Sequence, residues 1–185
     1  IYSFDLIVFH SQSYRAYHKL YYGLGYEKST IIPPGSFPEA IQFREPPSSS
    51  VIRVLCTVRI AERIDLEKLI EVIEELRLRN IKVEFVLIGR SAPVNIERKG
   101  LRVIKAYMGY REFAEILTQA HILFPIRPKS LHHLLTVRAS LADYLMAGRP
   151  VIYLHSLGMR EIVKDHDRGI EIRTLSEAIN VISQI

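Results

Sequence analysis

Short runs of Val, Ile, Leu and Phe that are apolar on both faces recur along this 185-residue chain, most of them followed by a stretch of helical period. That alternation constrains the fold more than any other feature. A strand without a polar face must be covered from both sides, as in a parallel sheet with helices on each face. The runs fall at 4–10 (FDLIVFH), 29–33 (STIIP), 51–58 (VIRVLCTV), 82–89 (KVEFVLIG), 101–106 (LRVIKA), 121–126 (HILFPI), 150–154 (PVIYL) and 169–173 (GIEIR). Between them, 65–79 places Leu66, Leu69, Ile70 and Ile73 on one helical face, and 111–120 does the same with Phe113, Ile116, Leu117 and Ala120. From residue 51 onward the order strand, helix, strand predicts βαβ units, hence an α/β fold with a doubly wound parallel sheet.

One stretch interrupts the pattern. FREPPSSS at 43–50 combines two prolines with three serines, a composition that marks a linker. Before it, residues 1–45 hold one strand-helix-strand unit; after it, 46–185 hold a nearly complete doubly wound domain. A hinge between the two is expected near 44–50. The chain opens on Ile rather than Met, with no signal-peptide pattern, and reads as the later part of a longer protein. No apolar run approaches the roughly 20 residues that span a bilayer. The single cysteine, Cys56, leaves no disulfide framework and fits a reducing, cytoplasmic compartment. A net charge of +5 allows an anionic partner without choosing one.

No dinucleotide fingerprint and no P-loop is present, so the loops after the strands are where ligand chemistry is expected. After the 51–58 strand, Arg59 and Arg63 stand within one short turn before a helix. Two guanidiniums beside a helix N-terminus make a receptor for a diphosphate, although solvated surface arginines are the plainer alternative. After the 121–126 strand comes a loop with Arg127, Lys129, His132, His133 and Arg138. It supplies no further ligand at metal spacing, so it reads as a loop touching an anion or sugar, or as ordinary surface. Tyrosines interleave with basic residues at 11–28, a pattern compatible with single-stranded nucleic acid. Tyr17, Leu20, Tyr21 and Leu24 fall at helical spacing, however, and are expected to pack on the neighbouring strands; nucleic acid is not expected as a partner. Finally, RASLADYLMAGRPVIY (138–153) reads as a helix stopped by Gly148-Arg149-Pro150 and followed by a strand. Asp143 lies five residues before that glycine, either on the wet face of the helix or in a site at its end.

Taken in order, these segments resemble the second half of a GT-B-fold glycosyltransferase of the retaining, nucleotide-sugar-dependent kind that includes glycogen synthases and mannosyltransferases (family 4, group 1 type). The resemblance lies in FDLIVFHSQSYRAYHKLYYGLGYEKSTIIPPGSF, VRIAERIDLEKLIEVIEEL, FVLIGRS, IKAYMGYREFAEILTQAHILFPIR, LADYLMAGRPVI and LGMREIV, and spans about 160 residues in matching order. It implies a Rossmann-like C-terminal domain that binds a nucleotide-diphosphate sugar, with no metal or other cofactor required. It also implies an N-terminal, acceptor-binding domain that this chain lacks, and allows peripheral membrane contact through a lipid or glycolipid acceptor.

Individual roles follow from the same resemblance. Arg59 matches the arginine that pairs with the donor diphosphate, and Arg63 falls near the family's diphosphate lysine. Met108, Gly109 and Tyr110 match the turn whose backbone meets the nucleobase. Asp143 matches the second glutamate of a Glu-x7-Glu pair, the one that accepts from the ribose hydroxyls. The first glutamate falls at Leu135, a departure at the position that lies against the donor sugar. Either the loop from Arg127 to the donor-binding candidate Arg138 presents the sugar differently, with His132 and His133 supplying the missing polar contacts, or donor chemistry is altered or lost. Two functions are therefore expected: a hexosyltransferase whose donor half this chain supplies, inactive alone, or a non-catalytic nucleotide- or partner-binding module of the same fold.

Overall fold

The computed structural model describes residues 5–36, 39, 41, 43–45, 47–57, 66–89, 99–104, 108–126, 130–163 and 169–185. Two parallel sheets are present. A small one pairs β1 (Ile7–Phe9) with β2 (Ser29–Ile31), joined by helix α1 (Gln12–Tyr22). The large one contains β3 (Ile52–Thr57), β4 (Val83–Ile88), β5 (Leu101–Ile104), β6 (Ile122–Leu123), β7 (Val151–Leu154) and β8 (Gly169–Ile172). Its order is β5-β4-β3-β6-β7-β8 with every neighbouring pair parallel. The strand order runs outward one way from β3 and the other way from β6, so the switch point falls between them. That is the doubly wound, Rossmann-like order, in which ligands lie beyond the carboxyl ends of the strands at the switch point.

The central strands of the large sheet are apolar on both faces because each face has its own core. Along β3, Val54 and Cys56 turn to one side, where α2 (Leu66–Leu78) and α7 (Glu177–Ile182) pack against Phe85, Leu87 and Ile152. Leu55 turns to the other side, where α3 (Tyr110–Thr118), α5 (Leu141–Met146) and α6 (Leu157–Val163) pack on Val86, Leu123 and Tyr153. Burial of such side chains contributes roughly 1.5–3 kcal/mol each before entropic costs. Helix ends follow local chemistry. Asn80 adopts the left-handed conformation after α2, with Ile81 N–H on the Leu76 carbonyl and Asn80 N–H on that of Arg77. Gly148, also left-handed, ends the α5 segment as the sequence predicts.

A short helix, α4 (Leu131–Leu135), precedes α5 and is not apparent from the sequence pattern. Ser130 caps it, its hydroxyl accepting from His133 N–H at 3.1 Å, and extended backbone at Thr136 ends it.

The expected packing of α1 is overturned. The helix has no buried residue: Leu20 is 77% exposed, Tyr21 is exposed, and Tyr17 and Leu24 are only half-buried. Two strands of three residues offer too little surface to cover an eleven-residue helix. The rings stack on one another instead, Tyr17 on Tyr21 at 4.5 Å and His18 on Tyr22 at 5.0 Å, while Arg15 and Lys19 lie over Tyr26 at 4.3 and 4.1 Å.

The α1 unit is fastened at its N-terminus to the large sheet. Glu161 of α6 accepts from Gln12 N–H at 2.7 Å, from Ser13 N–H at 2.8 Å and from the Ser13 hydroxyl. Ser11 Oγ donates to the Leu135 carbonyl at 2.6 Å. A carboxylate at a helix N-terminus satisfies otherwise orphaned amides and complements the helix dipole. Arg44 and Pro47 are tied down as well. Arg149, 1% exposed, donates to the carbonyls of Arg44 at 2.6 Å and Thr118 at 2.8 Å, and His121 bonds the Pro47 carbonyl at 2.9 Å.

Candidate donor-binding site

Three segments far apart in sequence converge on Asp143. The residue stands in the first turn of α5, yet it is only 8% exposed, so it is not on a wet helix face. Its Oδ1 accepts from Ser36 Oγ at 2.7 Å and from Tyr110 Oη at 2.6 Å, and those two hydroxyls are 3.2 Å apart. Among the described residues nothing donates to Oδ2. Two fixed hydroxyls thus hold one carboxylate oxygen and set the plane of the group, leaving the second as an acceptor for an incoming donor.

Each partner arrives for a local reason. Tyr110 is the first residue of α3, placed by extended backbone at Gly109, which caps the helix without a side chain. Met108, half-buried, packs on the core beneath. Ser36 follows Pro33-Pro34-Gly35, the irregular run that leads away from β2. Ser36 carries no motif of its own in the sequence; its only signal is the Pro-Pro-Gly run after a strand.

The end of β3 forms a second part of the region. Thr57, its last residue, bonds the hydroxyl of Tyr144 on α5. Burial pushes the Tyr144 hydroxyl and the Cys56 thiol upward in pKa, and the Arg138 guanidinium lies close enough to both to oppose that push. Arg138 Nη1 is itself buried and has no hydrogen-bond acceptor. Arg59 and Arg63, expected at the start of the following loop, lie outside the described residues, as do Arg127 and Lys129.

The vicinal histidines separate. His132 is exposed, with its ring 5.8 Å from that of Tyr14 on α1, whereas His133 is buried at 7% exposure. Leu135 is buried, and its carbonyl is the acceptor for Ser11. Asp143, Tyr110 and Gly109 are therefore brought together with Ser36, Arg138 stands beside the end of β3, and His132 faces α1. Among the described residues no group of three or more His, Cys, Asp or Glu is placed to hold a metal, and no helix is long and apolar enough to cross a membrane.

The model of the family "Glycosyl transferases group 1" matches residues 52–184. Among solved structures, WaaG, a glycosyltransferase involved in lipopolysaccharide biosynthesis, is 18% identical with a TM-score of 0.72, covering 96% of this chain and 52% of its own. Sucrose-phosphate synthase from Thermosynechococcus elongatus is 16% identical at TM-score 0.67, covering 99% and 49%. A trehalose-6-phosphate structure from E. coli, bound with UDP-2-fluoro glucose, is 9% identical at TM-score 0.67, covering 98% and 52%. This chain thus spans about half the length of the structures it matches. No curated protein matches it by sequence.

Proposed function

The chain belongs to the group 1 glycosyl transferases, and on that premise we propose that it holds a nucleotide-diphosphate sugar at the carboxyl ends of its six-stranded sheet. The observation that carries this reading is Asp143, a buried carboxylate with Oδ1 held by two hydroxyls and Oδ2 without a donor among the described residues. A ribose presents two adjacent hydroxyl donors, which such an oxygen accepts. The nucleobase then lies along the turn of Met108, Gly109 and Tyr110. Arg59 and Arg63 are assigned to the diphosphate and Arg138, near the end of β3, to the same charge, while the separated His132 and His133 do not both serve the sugar. As the bond between anomeric carbon and diphosphate oxygen breaks, negative charge grows on the leaving group. Guanidiniums can stabilise such charge electrostatically without a metal.

The acceptor and the groups that orient it belong, in this reading, to an N-terminal domain outside these 185 residues. A lipid-linked acceptor would bring the protein to the cytoplasmic face of a membrane by peripheral contact. The isolated chain is expected to bind nucleotide without transferring hexose. A second reading, a binding module without catalysis, is favoured by one feature: Leu135 is apolar and buried where the family pattern has a carboxylate.

Calorimetric titration with UDP, GDP and their hexose conjugates tests both. Saturable binding lost in Arg59→Ala and in Asp143→Asn supports a donor site. No binding of any nucleotide by the folded chain overturns it. Transfer by the full-length protein then separates enzyme from binding module.

A further inference from the structure

A cavity of about 720 Å³ opens beyond the carboxyl ends of β7 and β8, against α4. Its size is that of a small-molecule site. It shares no residue with the Asp143, Tyr110 and Ser36 cluster.

The walls divide by chemistry. Leu131, Leu134 and Leu154 make an apolar side, and His133, His155 and Arg173 carry the charge-bearing groups. Among the described lining residues there is no carboxylate. Glu171, on the strand that Arg173 follows, is already engaged: it accepts from His155 and pairs with Arg160 at 2.7 Å. The Arg173 guanidinium has no hydrogen-bond or ion-pair partner among the described residues; only its backbone N–H is bonded, to Glu177 at 3.0 Å. Ser156, next to the cavity, holds its floor in place by donating to the His133 carbonyl at 3.0 Å.

We propose that this pocket binds an amphiphile with one anionic head group, its alkyl or aryl body against the leucines and its phosphate or carboxylate on Arg173. An apolar wall favours a hydrocarbon body over a sugar, and the Arg173 guanidinium with no carboxylate among the described lining residues favours an anion over a cation. The binding does not depend on the donor reading. If that reading holds, the pocket is a second site, lined by residues of the helix that ends at Leu135 and separate from the Asp143 cluster.

Titration with decyl phosphate below its micellar concentration tests this. One-to-one saturable binding is expected. Arg173→Gln should weaken it about tenfold or more, as loss of a charge-assisted bond does. That side chain is exposed and unbonded, so the variant should keep the wild-type melting temperature. Leu131→Ser should weaken binding as well, and decanol and inorganic phosphate should each bind far more weakly than decyl phosphate. A comparison with decanoate identifies the preferred head group, and tight binding of either supports the site. Asp143→Asn should leave decyl phosphate affinity unchanged. Absence of saturable binding, equal affinity for decanol, no effect of Arg173→Gln, or loss of binding in Asp143→Asn would each overturn the proposal.

Discussion

Replacing Asp143 by Asn and by Ala separates the ligand-facing and scaffold-facing halves of one carboxylate. In the wild type, Ser36 at 2.7 Å and Tyr110 at 2.6 Å both donate to Oδ1. Asn keeps a carbonyl oxygen for those hydroxyls but puts an NH2 where Oδ2 was, so two donors would face an incoming ribose. Ala removes both functions. Hydrogen bonds to a charged group contribute about 1.5–3 kcal/mol each. The two lost in Asp143→Ala are partly offset because Ser36 and Tyr110, 3.2 Å apart, bond each other. A net destabilisation of about 2–3 kcal/mol follows, or roughly 4–12 °C in melting temperature for a chain of this size. Asp143→Asn should lose about 1 kcal/mol, since the geometry survives and only charge assistance goes. Nucleotide binding should fall alike in both variants, by roughly 10–100-fold for one lost charge-assisted contact. Differential scanning calorimetry and titration with UDP or GDP measure the two effects on the same samples. If Asp143→Asn binds nucleotide within about twofold of wild type, well short of that loss, Oδ2 does not meet the ribose and the donor reading fails. If both variants melt together, Oδ1 is not the scaffold half.

Other positions give independent outcomes. Glu161→Gln should keep part of the cap on α1 and Glu161→Ala should lose it, costing about 1–2 kcal/mol and speeding amide exchange at Gln12 and Ser13; unchanged exchange in Glu161→Ala refutes the attachment. Arg149→Met leaves the Arg44 and Thr118 carbonyls without their donor and should destabilise by about 3 kcal/mol, read by denaturant midpoint. Burial opposes ionisation of Glu171, but its bonds to His155 and Arg160 outweigh that and hold its pKa below the usual carboxylate range. Its contribution is therefore fully present above the unfolded value of about 4.3 and lost as pH falls through the depressed folded value. Thermal unfolding of Glu171→Gln should show a shallower loss of stability across that acid range than wild type, and identical slopes would count against the assignment.

The large sheet was legible because its signal is long and redundant. Both faces of β3 are apolar, Val54 and Cys56 against Leu55, and no other packing satisfies such a run. The α1 face was misread because period alone does not say how much surface lies opposite. Tyr17, Leu20, Tyr21 and Leu24 keep helical spacing, but only a two-stranded sheet lies beneath them. At the site, Asp143 stands out in the sequence as the one carboxylate just before Gly148-Arg149-Pro150, and Tyr110 is marked by the family resemblance of its turn. Ser36 could not be singled out, since its contact with Asp143 spans 107 residues and depends on how the first unit meets the second. The same holds for Glu161, whose role requires knowing that α1 points its amides at α6.

The charge balance around the end of β3 bears on how binding and chemistry divide. Arg138 Nη1 is buried without an acceptor, a state that costs about 1–3 kcal/mol or more for a charged group. Asp143 does not relieve it, because the bonded oxygen of that carboxylate faces Ser36 and Tyr110. Leu135 adds no charge, and its carbonyl is occupied by Ser11. An unrelieved cation beside the switch point favours phosphate oxygens over the hydroxyls of a neutral sugar, since only the former bring the missing charge. On the proposed donor reading, nucleotide affinity would rest on groups distinct from any that activate the sugar. Leu135 would then weaken transfer while leaving the proposed contacts of Arg138, Asp143 and Tyr110 with the donor in place.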